Sequence, residues 1–168
     1  MSQIIVRPLS EADLPIVLDI HEEVASERRW IGTEPPVDRA KVQTRFTESF
    51  IEGNGRMLVA EVGDGIVGSL GLTGSGLLDL GMAVRTEWRG RGVGSALVEA
   101  AIDWARRSGA YKITLQTWPH NEAAIRLYKR CGFEQEGYLR RHWRRRNGEL
   151  WDAIVMGLLL DEIDEELD

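Results

Sequence analysis

The residues with the clearest chemical potential lie in one stretch, Met82-Ala83-Val84-Arg85-Thr86-Glu87-Trp88-Arg89-Gly90-Arg91-Gly92-Val93-Gly94-Ser95. An apolar extended run, Leu77 to Val84, enters a glycine-rich turn, and that turn opens a segment with helical periodicity. Consecutive backbone N–H groups and the positive end of a helix dipole then converge on one point, which favours an anion. Glycines at 90, 92 and 94 let the backbone approach phosphate oxygens without a Cβ in the way, and Arg89 and Arg91 add positive charge. Two other phosphate-binding patterns fit poorly. A P-loop ends in Gly-Lys-Ser/Thr, which the sequence lacks, and a dinucleotide fingerprint needs a third glycine where Ser95 stands. For Gly90-x-Gly92 alone, a solvated tight turn with arginines for solubility would serve as well; the downstream residues favour the anion site.

Asn121 and Tyr128 are seven residues apart, nearly two helical turns, so both project from one helix face, and Ala124 between them leaves room for a slender ligand chain. A core aromatic with a satisfied hydroxyl is the competing reading of Tyr128. Cys131 suits a small buried residue beside a helix end better than a nucleophile. His120 has a suitable intrinsic pKa of about 6.5 for proton transfer, yet loop histidines are usually just solvated, and it ranks below Asp79 as a base.

Arg89-Gly90-Arg91-Gly92-Val93-Gly94 resembles the pyrophosphate loop of the GNAT acetyltransferases, Gln/Arg-x-x-Gly-x-Gly/Ala. Asn121-Glu122-Ala123-Ala124-Ile125-Arg126-Leu127-Tyr128-Lys129-Arg130-Cys131-Gly132-Phe133 is similar to that family's Asn-x-x-Ala-x-x-Leu-Tyr-x-x-x-Gly-Phe element. The resemblance spans roughly Leu77 to Gly157, with the N-terminal part fitting only in its order of elements. It implies an acetyl-CoA donor, no metal, and direct attack of an amine on the thioester in a ternary complex. It places the pyrophosphate on residues 89 to 95 and the pantetheine beside Met82, Ala83, Val84, Asn121 and Ala124. One backbone N–H of Met82 or Val84 would polarise the thioester carbonyl. It also makes Tyr128 the acid at thiolate departure, and Asp79, where related sequences often carry Glu or Asp, the candidate base. A structural carboxylate at the strand edge is an equal alternative for Asp79.

The block Gly132 to Gly137, with Trp151-Asp152 beyond, looks like the branch containing amino-acid N-acyltransferases and ribosomal-protein N-terminal acetyltransferases. Deprotonating an α-amine of pKa near 8 at pH 7 costs about 1.4 kcal/mol, against about 4.6 for a lysine-like amine. A weak base therefore suits a small-molecule or amino-acid amine. A protein N-terminal acetyltransferase and a catalytically silent acyl-CoA sensor are the rival readings. A closed loop over 26 to 37 would favour small amines and an open groove peptides.

The elements that must position these residues follow from periodicity. The order βααβββαβαββ implies an α/β (α+β) fold, a mixed, mostly antiparallel central sheet of about seven strands flanked by helices on both faces. Ile4 to Arg7 is a strand, and Ser10 is placed to cap a helix over Glu11 to Ala25. Asp38 caps a second helix reaching about Glu52. Met57 to Val62 and Ile66 to Leu72 form a hairpin around Gly63-Asp64-Gly65. Gly92 to Ser108 is amphipathic, Tyr111 to Trp118 a strand, Asn121 to Arg130 a helix. Phe133 to Arg145 and Leu150 to Leu159 flank Asn147-Gly148, so Arg145 and Arg146 are expected at a solvated hairpin. The resemblance implies that the early helical segment holding Trp30, Glu34, Pro35-Pro36 and Phe46 covers the acceptor cleft, where such residues are more often scaffold than contact.

The 168 residues form a single expected domain, 1–168, with 43% hydrophobic content and a net charge of −6, which disfavours nucleic acid and anionic membrane as partners. A lone cysteine excludes an intrachain disulfide and a Cys-rich zinc site. With no long apolar run near Met1 to Pro8, a soluble cytoplasmic protein is expected. The acidic tail, Asp161 to Asp168, is expected to be solvated. A homodimer is expected to cover the run Leu150 to Leu160, taken as an exposed edge, with Arg140 to Arg146 meeting the acidic tail.

Overall fold

The computed structural model describes residues 2–160; the acidic tail and any contact it makes lie outside the described residues. Seven strands form one sheet in the order β1-β2-β3-β4-β5-β7-β6. These are β1 (Ile4–Pro8), β2 (Arg56–Val62), β3 (Gly65–Ser75), β4 (Leu77–Val84), β5 (Lys112–Thr117), β6 (Glu134–Arg144) and β7 (Leu150–Leu159). Neighbours are antiparallel except β4 and β5, which run parallel.

Four helices cover the sheet: α1 (Leu14–Ser26), α2 (Arg39–Phe46), α3 (Val93–Arg107) and α4 (Glu122–Arg130). In α3 the spacing of Val93, Leu97, Ala101 and Ala105 makes an apolar stripe, and all four are buried. Leu97 is fully enclosed beside Leu70, Leu72 and Ile113, and burying a leucine contributes about 1.5–3 kcal/mol. The opposite face of the sheet holds a second core, where Val17, Ile20 and Val24 of α1 meet Val42 and Phe46 of α2 over Met57 and Val59. Strand alternation divides β4 between them, with Leu78 and Leu80 in the α3 core and Ala83 in the α1–α2 core.

Local chemistry sets the boundaries. Asp13 Oδ2 accepts hydrogen bonds from the N–H and Oγ of Ser10 at 2.7 and 2.8 Å, so the expected helix start is a short 3₁₀ turn, Glu11–Asp13, leading into α1. Arg7 donates to both carboxylate oxygens of Asp13 and to Glu61, tying β1, α1 and β2 together. Asp38 caps α2 through the Lys41 N–H. The helix expected to reach Glu52 is α-helical only to Phe46 and continues as a wider π turn over Thr47–Ile51.

Two expectations about the C-terminal half are corrected. β7 is internal, with β5 paired to its residues 154–159 and β6 to its residues 150–157; the edge on that side of the sheet is β6, so β7 gives no reason for a dimer. Arg145 is not solvated: it is 4% exposed, stacked over Trp151 at 4.2 Å and Trp118 at 5.3 Å. Arg140, Arg141 and Arg144 are exposed as expected.

Candidate active site

β4 and β5 stay in register only over Leu77–Lys112, Leu78–Ile113 and Asp79–Thr114. Past Asp79 the strands separate, so the β5-facing edge of Leu80–Val84 has no strand neighbour. The gap is a cleft of about 670 Å³, walled by Gly81 to Val84 on one side, Gln116 to Trp118 on the other, and α4 below. Splaying a parallel pair in mid-sheet opens a slot and leaves hydrogen-bonding backbone groups along its wall.

At the end of β4 the chain makes a short 3₁₀ turn, Thr86–Trp88, then the glycine-rich bend. Gly90 and Gly92 have φ of +70° and +88°, conformations that L side chains rarely adopt. A Cβ at Gly90 would meet nothing within 4 Å among the described residues, and one at Gly92 only Ile4 Cδ1 at 3.8 Å. Gly92 is the N-cap of α3, so the first N–H groups of that helix face the mouth of the cleft unpaired by the helix itself. Gly94 has a further role. Its Cβ would fall 2.9 Å from Leu127 Cδ2, so its absence lets α3 approach α4.

Arg89 departs from expectation. Its guanidinium is held by Glu27 of the α1–α2 connection, with Nη2–Oε1 2.7 Å and Nη1–Oε2 2.8 Å, and its Nε donates to the Val84 carbonyl at 3.2 Å. Its charge is therefore already neutralised; the residue braces the turn rather than adding free charge to it. Those bonds from Arg89, with further ones from Trp30 and Thr86, outweigh burial and hold the Glu27 carboxyl down at about 2. Arg91 is exposed over the Trp88 ring at 5.1 Å, and the Val93 side chain is buried in the core, leaving only its backbone for the turn. Ser95 lines the cleft.

Asn121 and Tyr128 both line the cleft, with Ala124 between them. Asn121 is the N-cap of α4 rather than a member of it, and its Oδ1 accepts from the Ala124 N–H at 3.3 Å, leaving its amide nitrogen for other partners. Tyr128 is 6% exposed, packed edge-on against Phe133. Among the described residues its hydroxyl has no hydrogen-bond partner, and the oxygen is not sealed from the cleft. Burial, with Cys131 nearby, raises its pKa, so it stays a phenol at neutral pH. Cys131 itself lies outside the cleft lining and is raised by burial.

A second cleft, of about 990 Å³, lies on the α1–α2 face and meets the first at Gly81, Met82 and Ala83. Asp79 lines this second cleft, not the first, and burial pushes its carboxyl up. It has no ion pair or hydrogen bond to its carboxylate among the described residues. His120 is otherwise engaged: Nε2 meets the Arg29 carbonyl at 2.8 Å, and the ring packs edge-on against Trp151.

Two loops meet beside the junction: the 27–38 connection, which the sequence raised as a possible cover, and the β6–β7 hairpin, whose part in it the sequence did not announce. Glu34 sits 3.4 Å from Arg145 Nε and accepts from the Arg146 N–H at 3.0 Å. Arg146 also donates to the Pro36 carbonyl, and His21 Nε2 meets Thr33 Oγ1 at 2.8 Å. Six tryptophans in a short chain were the available signal: Trp143, Trp118 and Trp151 stack successively edge-to-face at the cleft mouth. Among the described residues no group of three or more His, Cys, Asp or Glu is placed to hold a metal ion, and no helix is long and apolar enough to cross a membrane.

Residues 17–133 match the family model described as acetyltransferase (GNAT) family. The L-amino acid N-acetyltransferase AaaT of Escherichia coli is 30% identical over 167 residues, covering 93% of this chain and 98% of that protein. An L-methionine sulfoximine/L-methionine sulfone acetyltransferase of Pseudomonas aeruginosa is 28% identical over 163 residues, covering 93% and 94%. In fold the chain is similar to yncA of Salmonella typhimurium, solved with its cofactor acetyl-CoA, at TM-score 0.84 and 23% identity over 96% of each chain.

Proposed function

The chain belongs to the GNAT acetyltransferase family, acetyl-CoA-dependent N-acetyltransferases, and from that premise we propose that its acceptor is the amine of a small molecule, an amino acid above all. The observation that carries this reading is the meeting of two clefts at Gly81–Ala83, beside two loops that Glu34 and Arg146 bridge on the α1–α2 side. A two-sided site with loops bridged across its acceptor side suits a small amine better than a peptide threaded along a groove. The relatives that act on free amino acids, matched over nearly their whole length, support the same class.

The residues fit a CoA donor. Gly90 and Gly92 leave open the space that a Cβ would take, and the α3 N-terminus offers N–H groups to a pyrophosphate without a metal. When bound, acetyl-CoA supplies an activated thioester carbonyl. In this proposal the backbone of Met82 and the Val84 N–H, which have no β5 neighbour, orient the slender arm, and Asn121 and Ala124 border it. Tyr128 holds a proton at its hydroxyl and donates a hydrogen bond where the thiolate departs. Its raised pKa makes complete proton transfer to a thiolate uphill, so its part is charge stabilisation more than titration. Asp79, raised by burial and unpaired, accepts a proton from the acceptor's ammonium, directly or through one water.

The test is release of CoA thiol from acetyl-CoA with a panel of amino acids, their amines and N-terminal peptides. Turnover of peptides alone would sink the small-amine reading, and tight CoA binding with no turnover of any amine would favour a sensor. We also propose a cytoplasmic location, in keeping with the lone cysteine, and a homodimer formed through the β6 edge, where Tyr138 and Trp143 are exposed. A single sedimenting species near 18.9 kDa at micromolar concentration would overturn the dimer.

A further inference from the structure

The face of the sheet under α1 and α2 carries Ser69, Gly71 and Thr73 of β3 directly opposite Ala83, Gly81 and Asp79 of β4. All six line the second cleft. The paired glycines put no side chain on one cross-strand step, with a Thr–Asp pair on one side and a Ser–Ala pair on the other; Phe50 covers the Gly71 half and the Gly81 half is bare.

The two glycines have different reasons to be there. A Cβ on Gly71 would lie 2.6 Å from Phe50 Cζ, so packing accounts for it. At Gly81 no described atom lies within 4 Å of an added Cβ, and its φ is not in the left-handed region. Neither packing nor backbone geometry asks for glycine, while a glycine inside a strand weakens it and marks places where a ligand or another backbone comes close. Gly81 is also one of the residues shared by both clefts. Its missing side chain would point into the second cleft, on the same face as Asp79 and Ala83.

Resting on the reading of the second cleft as the acceptor side, we propose that Gly81 is the aperture through which the acceptor's amine reaches the donor cleft, and that its bare floor is what admits amines on substituted carbons, as in α-amino acids. Successive residues on one strand face stand about 6.6 Å apart, so an amine above Gly81 lies within reach of the Asp79 carboxylate directly or through one water. The carbon bearing that amine then occupies the volume a side chain at 81 would fill. An amine on an unbranched CH₂ needs less of that volume, since only one chain leaves the carbon.

The test compares wild type with Gly81→Ala and Gly81→Val, using the best amino-acid acceptor in the panel and its decarboxylated counterpart. Gly81→Val is expected to lower kcat/KM for the amino acid about 10²-fold and for the unbranched amine less than about tenfold, with Gly81→Ala between. The melting temperature is expected to hold, because an alanine or valine there suits a strand, and a loss of CoA affinity by calorimetry as large as the loss in kcat/KM would place the effect on the donor side and overturn the aperture. Equal losses on both amines, or no loss on either, would overturn the aperture. Failure of the wild-type protein to acetylate any amine would instead overturn the acceptor-side reading beneath it.

Discussion

The Glu27–Arg89 brace gives a sharp test of how the glycine-rich turn is held. Glu27 accepts from both terminal nitrogens of Arg89, from Trp30 Nε1 and from Thr86 Oγ1, and its carboxyl lies at about 2 against an ordinary 4.5. At 1.36 kcal/mol per factor of ten, that difference of about 2.5 is worth at most about 3.4 kcal/mol. The Glu27 side chain remains 27% exposed and its partner 32%, so solvent screening reduces the figure to about 1–2 kcal/mol. The folded-state pKa is depressed, so this stability is complete above about pH 4.5, more than half gone by pH 3, and lost as the pH falls through about 2. Glu27→Gln should therefore lower the melting temperature at pH 7 by roughly 3–6 °C for a chain of this size, and the gap from wild type should narrow at pH 3. Asp13, whose carboxyl Arg7 holds well below the usual range, also weakens the fold in acid, but equally in both proteins, so the difference between them isolates Glu27. Scanning calorimetry of the two proteins at both pH values is the measurement. A gap of the same size at pH 7 and pH 3 would refute the argument, since it would locate the effect in packing rather than charge.

Tyr128→Phe should lower kcat about 10²-fold with little change in CoA affinity, because the ring stays packed on Phe133 while the hydroxyl is lost; wild-type turnover would reduce Tyr128 to a packing residue. Gly92→Val forces a β-branched residue to φ near +88° and puts methyl groups over the α3 N-terminus, so calorimetry should find CoA binding weakened at least tenfold (about 1.4 kcal/mol) in protein that circular dichroism shows to be folded. Asp79→Asn should remove the acid limb of the kcat/KM profile, where wild-type activity falls as the raised carboxyl protonates; an unchanged limb assigns that titration elsewhere. Arg145→Leu leaves Glu34, whose side chain is 14% exposed, only the Arg146 N–H, and should cost about 1–3 kcal/mol in chemical denaturation, while Arg144→Leu on the exposed edge should cost less than about 0.5 kcal/mol.

The order of elements, the glycine-rich turn at the head of α3 and the Asn121–Tyr128 face were legible in the sequence because each is local. Helical and strand periods repeat within a few residues, and a glycine that must take positive φ does so whatever lies across the molecule. The ends of α1 and α2 were less legible, since a 3₁₀ start and a π turn depend on how the segment packs rather than on its caps. What only the tertiary structure decided concerns residues whose partners are distant in sequence. Arg89 is separated from Glu27 by 62 positions, so nothing in the turn itself announces that its charge is spent on a brace. Arg145 reads as a hairpin arginine until Trp118, Trp151 and Glu34, drawn from three other segments, bury it. β7 reads as an exposed apolar edge until pairing order, which no local pattern encodes, puts β6 outside it. The separation of β4 from β5 and the opposition of Gly71 to Gly81 are likewise products of strand register. Local propensity chooses the pieces; the few contacts that fix register and burial of charge choose how they meet, and the two clefts open at those meetings.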